Sequence, residues 1–249
     1  MDRTLIRVAG ADRDRFLQGL LTRDVPAKGL GYAALLSAQG KYLADFLTFR
    51  DGDATWLDAD AAQVPGLVQR LSMYRLRADV ALSATDRPVR AGLGAAPPGA
   101  MADPRPGMGW RAYDAGPAEA VDWDAVRVAN LVPRAGVELI PNESYILEMG
   151  FERLGGVDFR KGCYVGQEVT ARMKHKTTLR KGLARIVLGG PAAPGAAVTA
   201  EGRAAGTVHT VAGDRALAHL RFDRAEGMAV DGAPARLEAR FDDAAPAPA

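Results

Sequence analysis

Apolar and polar positions follow two different periods along the chain, and the change falls near Leu183. Before it, short strand-like segments alternate with segments whose apolar residues recur every three or four positions. Strands are predicted over residues 4–9, 30–36, 42–49, 55–57 and 77–82, and helices after Asp12 and from Val64 to Leu71. Strands and helices in this order, joined by hairpins, favour an α+β fold over a doubly wound parallel sheet.

After Leu183 the period shortens to two. Alternating apolar segments recur at residues 183–188, 205–211, 215–222 and 235–241, separated by Gly, Pro and Asp turns. This spacing predicts a small antiparallel barrel or sandwich.

The same patterns divide the chain into domains. We expect an α+β body over residues 1–180, with a Gly/Pro-rich surface loop or lobe boundary near 92–109, and a barrel over residues 181–243. The Ala/Pro composition of residues 244–249 offers nothing to pack and predicts a disordered tail.

Composition excludes several function classes. The formal net charge of the 249 residues is only +2, which gives no global electrostatic case for binding nucleic acid or membrane. The charged N-terminal sequence lacks the apolar stretch of a signal peptide, so a cytoplasmic location is predicted. Aromatic residues make up 6% of the chain and do not interleave with basic ones, so direct nucleic-acid binding is not expected.

The chain has one cysteine, Cys163, so it cannot form an intrachain disulfide. Cys163 lies between Gly162 and Gly166, directly after Arg160 and Lys161. Nearby cations and the start of a following helix stabilise a thiolate, and glycines allow a ligand or another backbone to approach closely. Two interpretations stay open, a functional thiol or a small buried apolar side chain.

A basic segment surrounds this cysteine. Eight Lys and Arg residues but only one acidic residue, Glu168, lie between Arg160 and Arg185. The candidate patch consists of Lys161, Arg172, Lys174, His175 and Lys176. Such a patch suits a polyglutamate tail, a phosphate, RNA or an acidic protein, and the alternative is a solvated face. A Cys163–His175 dyad is disfavoured, because twelve residues do not place both on one helical face.

Lys161-Gly162-Cys163-Tyr164-Val165-Gly166-Gln167-Glu168 resembles the signature of the YgfZ family, folate-binding proteins with mitochondrial counterparts in iron–sulfur cluster assembly. Two N-terminal blocks are also similar to that family, namely residues 16–19 and residues 35–41 followed by Asp45. The resemblance implies the fold of the glycine-cleavage aminomethyltransferases, with a folate pocket in the body and a small barrel.

The resemblance also implies functional residues. It makes Cys163 the functional thiol, and it implies that tetrahydrofolate contacts Gln39, Lys41, Asp45, Arg127, Tyr164, Gln167 and Glu168. Because a cluster usually needs about four thiolates, Cys163 is expected to hold one only together with a partner, an iron–sulfur carrier or client protein. Leu131 stands where the family often has glycine between Arg127 and Pro133.

Two other functions stay open. The first is folate-dependent aminomethyl transfer, against which Ala44 weighs, because the transferases are expected to carry two adjacent aspartates where this chain has Ala44-Asp45. The second is a tRNA-modification protein. The implied role is that of an accessory protein rather than a conventional enzyme.

Overall fold

The computed structural model describes residues 2–243, so the tail predicted for residues 244–249 lies outside the described residues. An antiparallel sheet of five strands forms the centre of the body, in the order β2-β3-β4-β1-β5. Its strands are β1 (Arg3–Ala9), β2 (Gly31–Leu36), β3 (Tyr42–Asp51), β4 (Ala54–Asp60) and β5 (Ala81–Thr85). The strand predicted over residues 77–82 thus begins later, at Ala81.

Both faces of this sheet are covered, which is why β2 is buried along its whole length. Helices α1 (Arg13–Gln18) and α2 (Val64–Arg75) pack on one face, where Leu17, Leu67 and Leu71 join the core. The opposite face packs against residues of the segment 128–164. Two buried faces give the sheet the apolar interior that the α+β pattern predicts.

The segment 92–109, expected to be a surface loop or lobe boundary, packs partly inward. It follows β6 (Arg90–Gly92), contains β7 (Met101–Ala102) and ends before β8 (Trp110–Ala112), which pairs with both. Asp103, Arg105 and Met108 are buried. Most of the segment is exposed or half-buried, whereas Asp103 and Arg105 are buried because their ion pair and the contact of Arg105 with the Tyr32 ring replace water.

Helix α3 (Trp123–Asn130) begins at Asp122, whose carboxylate accepts hydrogen bonds from the amides of Asp124 and Ala125. The chain then runs irregularly through a single 3-10 turn at Ile146–Met149 to helix α4 (Gln167–Lys176). Apolar side chains from the irregular stretch, including Leu139, Phe151 and Leu154, are fully buried. No helix within residues 2–243 is long and apolar enough to cross a membrane.

Six antiparallel strands form a closed barrel, which confirms the predicted barrel. They are β9 (Lys181–Leu188), β10 (Ala197–Ala200), β11 (Arg203–Ala212), β12 (Arg215–Arg221), β13 (Met228–Val230) and β14 (Ala233–Arg240). The four alternating segments correspond to β9, β11, β12 and β14. Strands β10 and β13 were not predicted because four and three residues are too few to display an alternation.

A buried ion pair joins the body to the barrel. Arg127 on α3 donates to the Glu138 carboxylate at 2.9 Å and to Thr210 Oγ1 on β11 at 2.7 Å. The Thr210 hydroxyl in turn donates to Glu138. All three side chains are buried, so each charge depends on its partners for compensation.

Candidate functional site

Three segments that are far apart in the sequence meet around Cys163. The first is the signature segment, residues 161–168, which lies against the carboxyl end of α1 and the turn of the β2–β3 hairpin. The amide of Val165 donates to the Gly19 carbonyl at 3.2 Å. The Lys161 ammonium donates to the carbonyls of Gln18 at 2.8 Å and Leu21 at 2.6 Å. All three sequence blocks of the family resemblance therefore form one surface.

Two glycines make the contact with the hairpin turn possible. Gly166 has a φ of +85°, and a Cβ atom at this position would lie 2.5 Å from the carbonyl oxygen of Ser37. A Cβ atom on Gly40, whose φ is +72°, would lie 2.8 Å from the Cβ of Val169. The hairpin turn and the start of α4 thus pack backbone to backbone, and no other residue type fits at Gly166 without displacing the turn.

Cys163 is exposed, which excludes its interpretation as a small buried apolar side chain. The residues on either side of Gly162-Cys163, Lys161 and Tyr164, are buried and anchor this short exposed stretch. The Lys161 ammonium also lies 3.3 Å from the Asp24 carboxylate and 5.2 Å from the centre of the Tyr164 ring. Burial lowers the pKa of Lys161, and its charge is held by the protein rather than left for a ligand.

Tyr164 belongs to the support of this stretch. Its side chain is buried, and burial raises the pKa of Tyr164 to about 12, so the phenol stays protonated at neutral pH. Gln167 and Glu168 form the first turn of α4, Gln167 half-buried and Glu168 exposed. A carboxylate in this position interacts favourably with the partial positive charge of the helix start.

The predicted basic residues lie along α4, on the carboxyl side of the cysteine. Arg172, Lys174, His175 and Lys176 are exposed. Lys174 pairs with Glu152 at 2.5 Å, and the His175 ring lies 6.3 Å from that of Phe159. The positive charges of Arg172 and Lys176 therefore face solvent along α4.

Asp45, predicted to contact folate, lies inside the body and is 5% exposed. Its carboxylate accepts hydrogen bonds from the hydroxyls of Tyr42 at 2.6 Å and Tyr32 at 3.0 Å. Gln63 donates to the Tyr42 hydroxyl at 2.7 Å, and the Arg105 guanidinium lies 5.0 Å from the centre of the Tyr32 ring. Both carboxylate oxygens are therefore already bonded within the protein. Each oxygen still has a further acceptor position, so the pterin contact of Asp45 stays a prediction.

The other predicted folate contacts do not meet at Asp45 through their side chains. Gln39 is exposed at the hairpin turn. Lys41 donates to the Glu143 carbonyl at 2.9 Å and lies 3.5 Å from the centre of the Tyr145 ring. Arg127 is held by Glu138 and Thr210 at the barrel junction, so its guanidinium has a structural role.

Sequence reasoning missed a buried network of charges beside Asp45. Asp103 pairs with Arg105 at 2.7 Å and with Arg111 at 3.1 Å. Burial alone would raise the pKa of Asp103, but the two guanidinium groups outweigh it and lower the pKa to about 2. One available signal was the position of Arg111 between Trp110 and Ala112, since a charge in a short apolar run indicates a buried partner.

Within residues 2–243, no three His, Cys, Asp or Glu side chains are grouped so that they could hold a metal ion. Cys163 therefore offers a single thiol ligand on a rigid, exposed support. A metal centre at Cys163 needs further ligands that residues 2–243 do not supply.

Comparison with known proteins places these observations in a family context. Residues 180–246 match the model of the C-terminal β-barrel domain of CAF17. The chain is 32% identical to the mitochondrial iron–sulfur cluster assembly factor IBA57 of Mus musculus, over 90% of this chain and 77% of that protein. It is 31% identical to the Homo sapiens protein of the same name, over 97% of this chain and 83% of that protein.

Among solved structures, the chain resembles a glycine cleavage system aminomethyltransferase T from Bartonella henselae. The TM-score is 0.76 at 14% identity, and the match covers 99% of this chain and 86% of the other. This likeness confirms the predicted fold, an α+β aminomethyltransferase-like body with an antiparallel barrel. The expected cytoplasmic location is contradicted, because the relatives that match the chain over most of its length are mitochondrial proteins.

Proposed function

The chain belongs to the family of the iron–sulfur cluster assembly factor IBA57, and we propose that it serves as an accessory factor in the assembly of iron–sulfur clusters. The observation that carries this proposal is the exposure of its one cysteine, Cys163, at the meeting point of three packed segments. A thiol that is exposed and yet held by buried neighbours on both sides suits transient ligation of a metal cluster.

The cluster is cargo in this proposal. One thiolate leaves about three ligand positions of an ordinary cluster unfilled, so the remaining ligands come from a partner protein or a small thiol. The partner we propose is an iron–sulfur carrier or client protein. The exposed cations of α4 favour a partner with an acidic surface, because opposite charges accelerate encounter and orient the two proteins.

The YgfZ-type character and the folate ligand remain finer proposals within this family. The aminomethyltransferase-like fold supports a relationship to folate proteins. The hydrogen bonds that Asp45 accepts from Tyr32 and Tyr42 leave it fewer acceptor positions for the pterin contact predicted from the sequence. We therefore derive no chemical step through folate, and aminomethyl transfer gains no support from the Asp45 cluster. An effect on tRNA modification would be indirect, through iron–sulfur enzymes that modify tRNA.

An anaerobic pull-down with the full chain as bait tests the proposed function. We expect the eluted complex to contain an iron–sulfur carrier or client protein, identified by mass spectrometry, together with iron and acid-labile sulfide. Bound folate is measured in the same eluate. Recovery of the chain with neither iron nor an iron–sulfur protein, from an extract in which other cluster assembly proteins remain loaded, would contradict the proposal.

The folate prediction is tested by calorimetry of tetrahydrofolate with the wild-type chain and with Asp45→Asn. A charge-assisted hydrogen bond from a carboxylate to a ligand is worth about 1.5–3 kcal/mol, or roughly ten- to a hundredfold in affinity. Because Tyr32 and Tyr42 already donate to this carboxylate, we expect the wild type and the variant to bind tetrahydrofolate with dissociation constants that agree within about threefold. Circular dichroism checks that the variant is folded. A loss of affinity of tenfold or more in a folded variant would restore the pterin contact.

A further inference from the structure

A groove lies at the carboxyl end of α4, at the opposite end of the helix from the cysteine. It has a volume of about 430 Å³ and lies between the turn around residues 147–153, the end of α4 and the segment that follows β14. Apolar side chains contributed by all three segments line it, among them Leu147, Met173, Leu179 and Phe241. The groove can therefore receive an apolar side chain.

The charges around the groove are unequal. Lys174 pairs with Glu152, and Arg240 pairs with Asp242 at 3.1 Å, so these four charges balance. Arg153 also lines the groove and is buried. Within residues 2–243 its guanidinium donates only to the main-chain carbonyls of Asn130, Leu131 and Phe241 and pairs with no carboxylate.

Burial and the nearby Arg185 lower the pKa of Arg153, which nevertheless keeps its charge because a guanidinium starts far above neutral pH. The carbonyls of Asn130 and Leu131 are at the end of α3, where the helix carries partial negative charge, and this explains why a cation is tolerated there. These carbonyls offset the positive charge of Arg153 only in part. The groove therefore keeps a positive charge beside its apolar lining.

The surface next to the groove adds to this excess. Arg172, Lys176 and Arg180 are exposed, and none forms an ion pair with another residue of the described range 2–243. A partner that approaches this surface meets mainly positive charge outside the groove and apolar surface inside it.

We propose that this groove binds an acidic segment of a partner protein, which inserts an apolar side chain between Met173 and Phe241 and turns its carboxylates toward the cations. The inference deepens the proposed function and rests on it, because the partner is the protein that shares a cluster with Cys163. Helix α4 has ten residues and is about 15 Å long at 1.5 Å per residue. A partner surface of ordinary size, about 800 Å² per protein, is wide enough to contact both ends of such a helix.

The probe for the experiment is an acetylated and amidated peptide of four Glu-Leu repeats, with Glu-Ser and Lys-Leu repeats of the same length as comparisons. Binding to the full chain is followed by the NMR signal of the Met173 methyl group in ¹³C-methionine-labelled protein, and affinity by fluorescence anisotropy at 150 mM salt. We expect the Glu-Leu peptide to shift the Met173 signal and to bind at least fivefold more tightly than either comparison peptide.

Thr178→Asp places a carboxylate on a groove-lining side chain that is exposed, so the variant is expected to fold. Ser72→Asp, an exposed position on α2, adds the same charge outside the groove. We expect Thr178→Asp to weaken Glu-Leu binding at least fivefold and Ser72→Asp less than twofold. An unmoved Met173 signal at millimolar peptide, equal binding of the Glu-Ser peptide, or equal effects of the two variants would each overturn the proposal.

The same titration with Cys163→Ser separates this inference from the proposed function. The serine variant should bind the Glu-Leu peptide as the wild type does, because the cysteine is not part of the groove. If the groove binds the peptide while the pull-down yields no iron–sulfur protein, the proposed function fails alone. If the pull-down yields an iron–sulfur protein with iron and the peptide does not bind, the groove proposal fails alone.

Discussion

Cys163→Ser should leave the protein folded and abolish its support of iron–sulfur enzymes. The side chain is exposed, so replacing sulfur by oxygen should change the free energy of unfolding by less than about 0.5 kcal/mol. A serine hydroxyl stays protonated at neutral pH and does not replace a thiolate as a cluster ligand. In cells that lack the native protein, we expect iron–sulfur enzyme activity with the variant to be no higher than with the empty vector.

Ala38→Ser is the matched control for this experiment. Ala38 is exposed on the neighbouring hairpin turn, and its replacement adds one hydroxyl to the same surface without touching the thiol. It should rescue the cells as fully as the wild type. Full rescue by Cys163→Ser, at equal protein level, would instead show that the thiol has no role in cluster assembly.

Gly166→Ala should be the most damaging of the conservative changes near the site. An L-residue at a φ of +85° costs about 1–2 kcal/mol, and a Cβ 2.5 Å from the Ser37 carbonyl adds an overpacking penalty of about 1–3 kcal/mol. Because domains are stable by only about 5–15 kcal/mol, this loss removes a large share of the total. Urea denaturation followed by circular dichroism measures it.

Gly52→Ala separates the two contributions. Gly52 also has a positive φ, +61°, but a Cβ atom there would meet nothing within 4 Å. Gly52→Ala should lose only the stability that the positive φ costs an L-residue. The urea midpoint of unfolding should therefore fall less for Gly52→Ala than for Gly166→Ala. Equal losses in the two variants would mean that the contact between α4 and the hairpin turn does not hold the site together.

The sequence predicted best those parts of the molecule that depend on local pattern. The hairpin at Tyr42, the helix that begins at Val64 and most of the barrel follow from periods of two and of 3.6 residues, which neighbouring residues display directly. The family resemblance grouped the blocks that meet around Cys163. Their contact itself was not predictable from spacing, because it depends on two glycines, Gly40 and Gly166, whose backbones approach in space.

The surroundings of Asp45 show why contacts between distant segments could not be predicted from the sequence. This carboxylate lies on a predicted strand among apolar neighbours, a pattern that leaves an inward-facing and an exposed position equally open, and the structure buries it. Tyr32, which donates to this carboxylate, lies on another strand. Arg105, which contacts the Tyr32 ring, lies in a segment rich in Gly and Pro. No period of the sequence connects such residues, so this buried hydrogen-bonded cluster could not be predicted from the strand pattern.

Helix α4 is fixed at both ends. At its start Gly166 packs against the hairpin turn, and after the four residues 177–180 the chain enters β9. Strand β9 pairs with both β12 and β14 inside a closed ring, so it has no free edge along which to slide. The thiol lies before the start of this helix and the groove at its end, so an anchored element joins the two. A partner that binds both the thiol and the groove finds the two already positioned on the protein surface. Little conformational entropy is therefore lost when the two proteins associate.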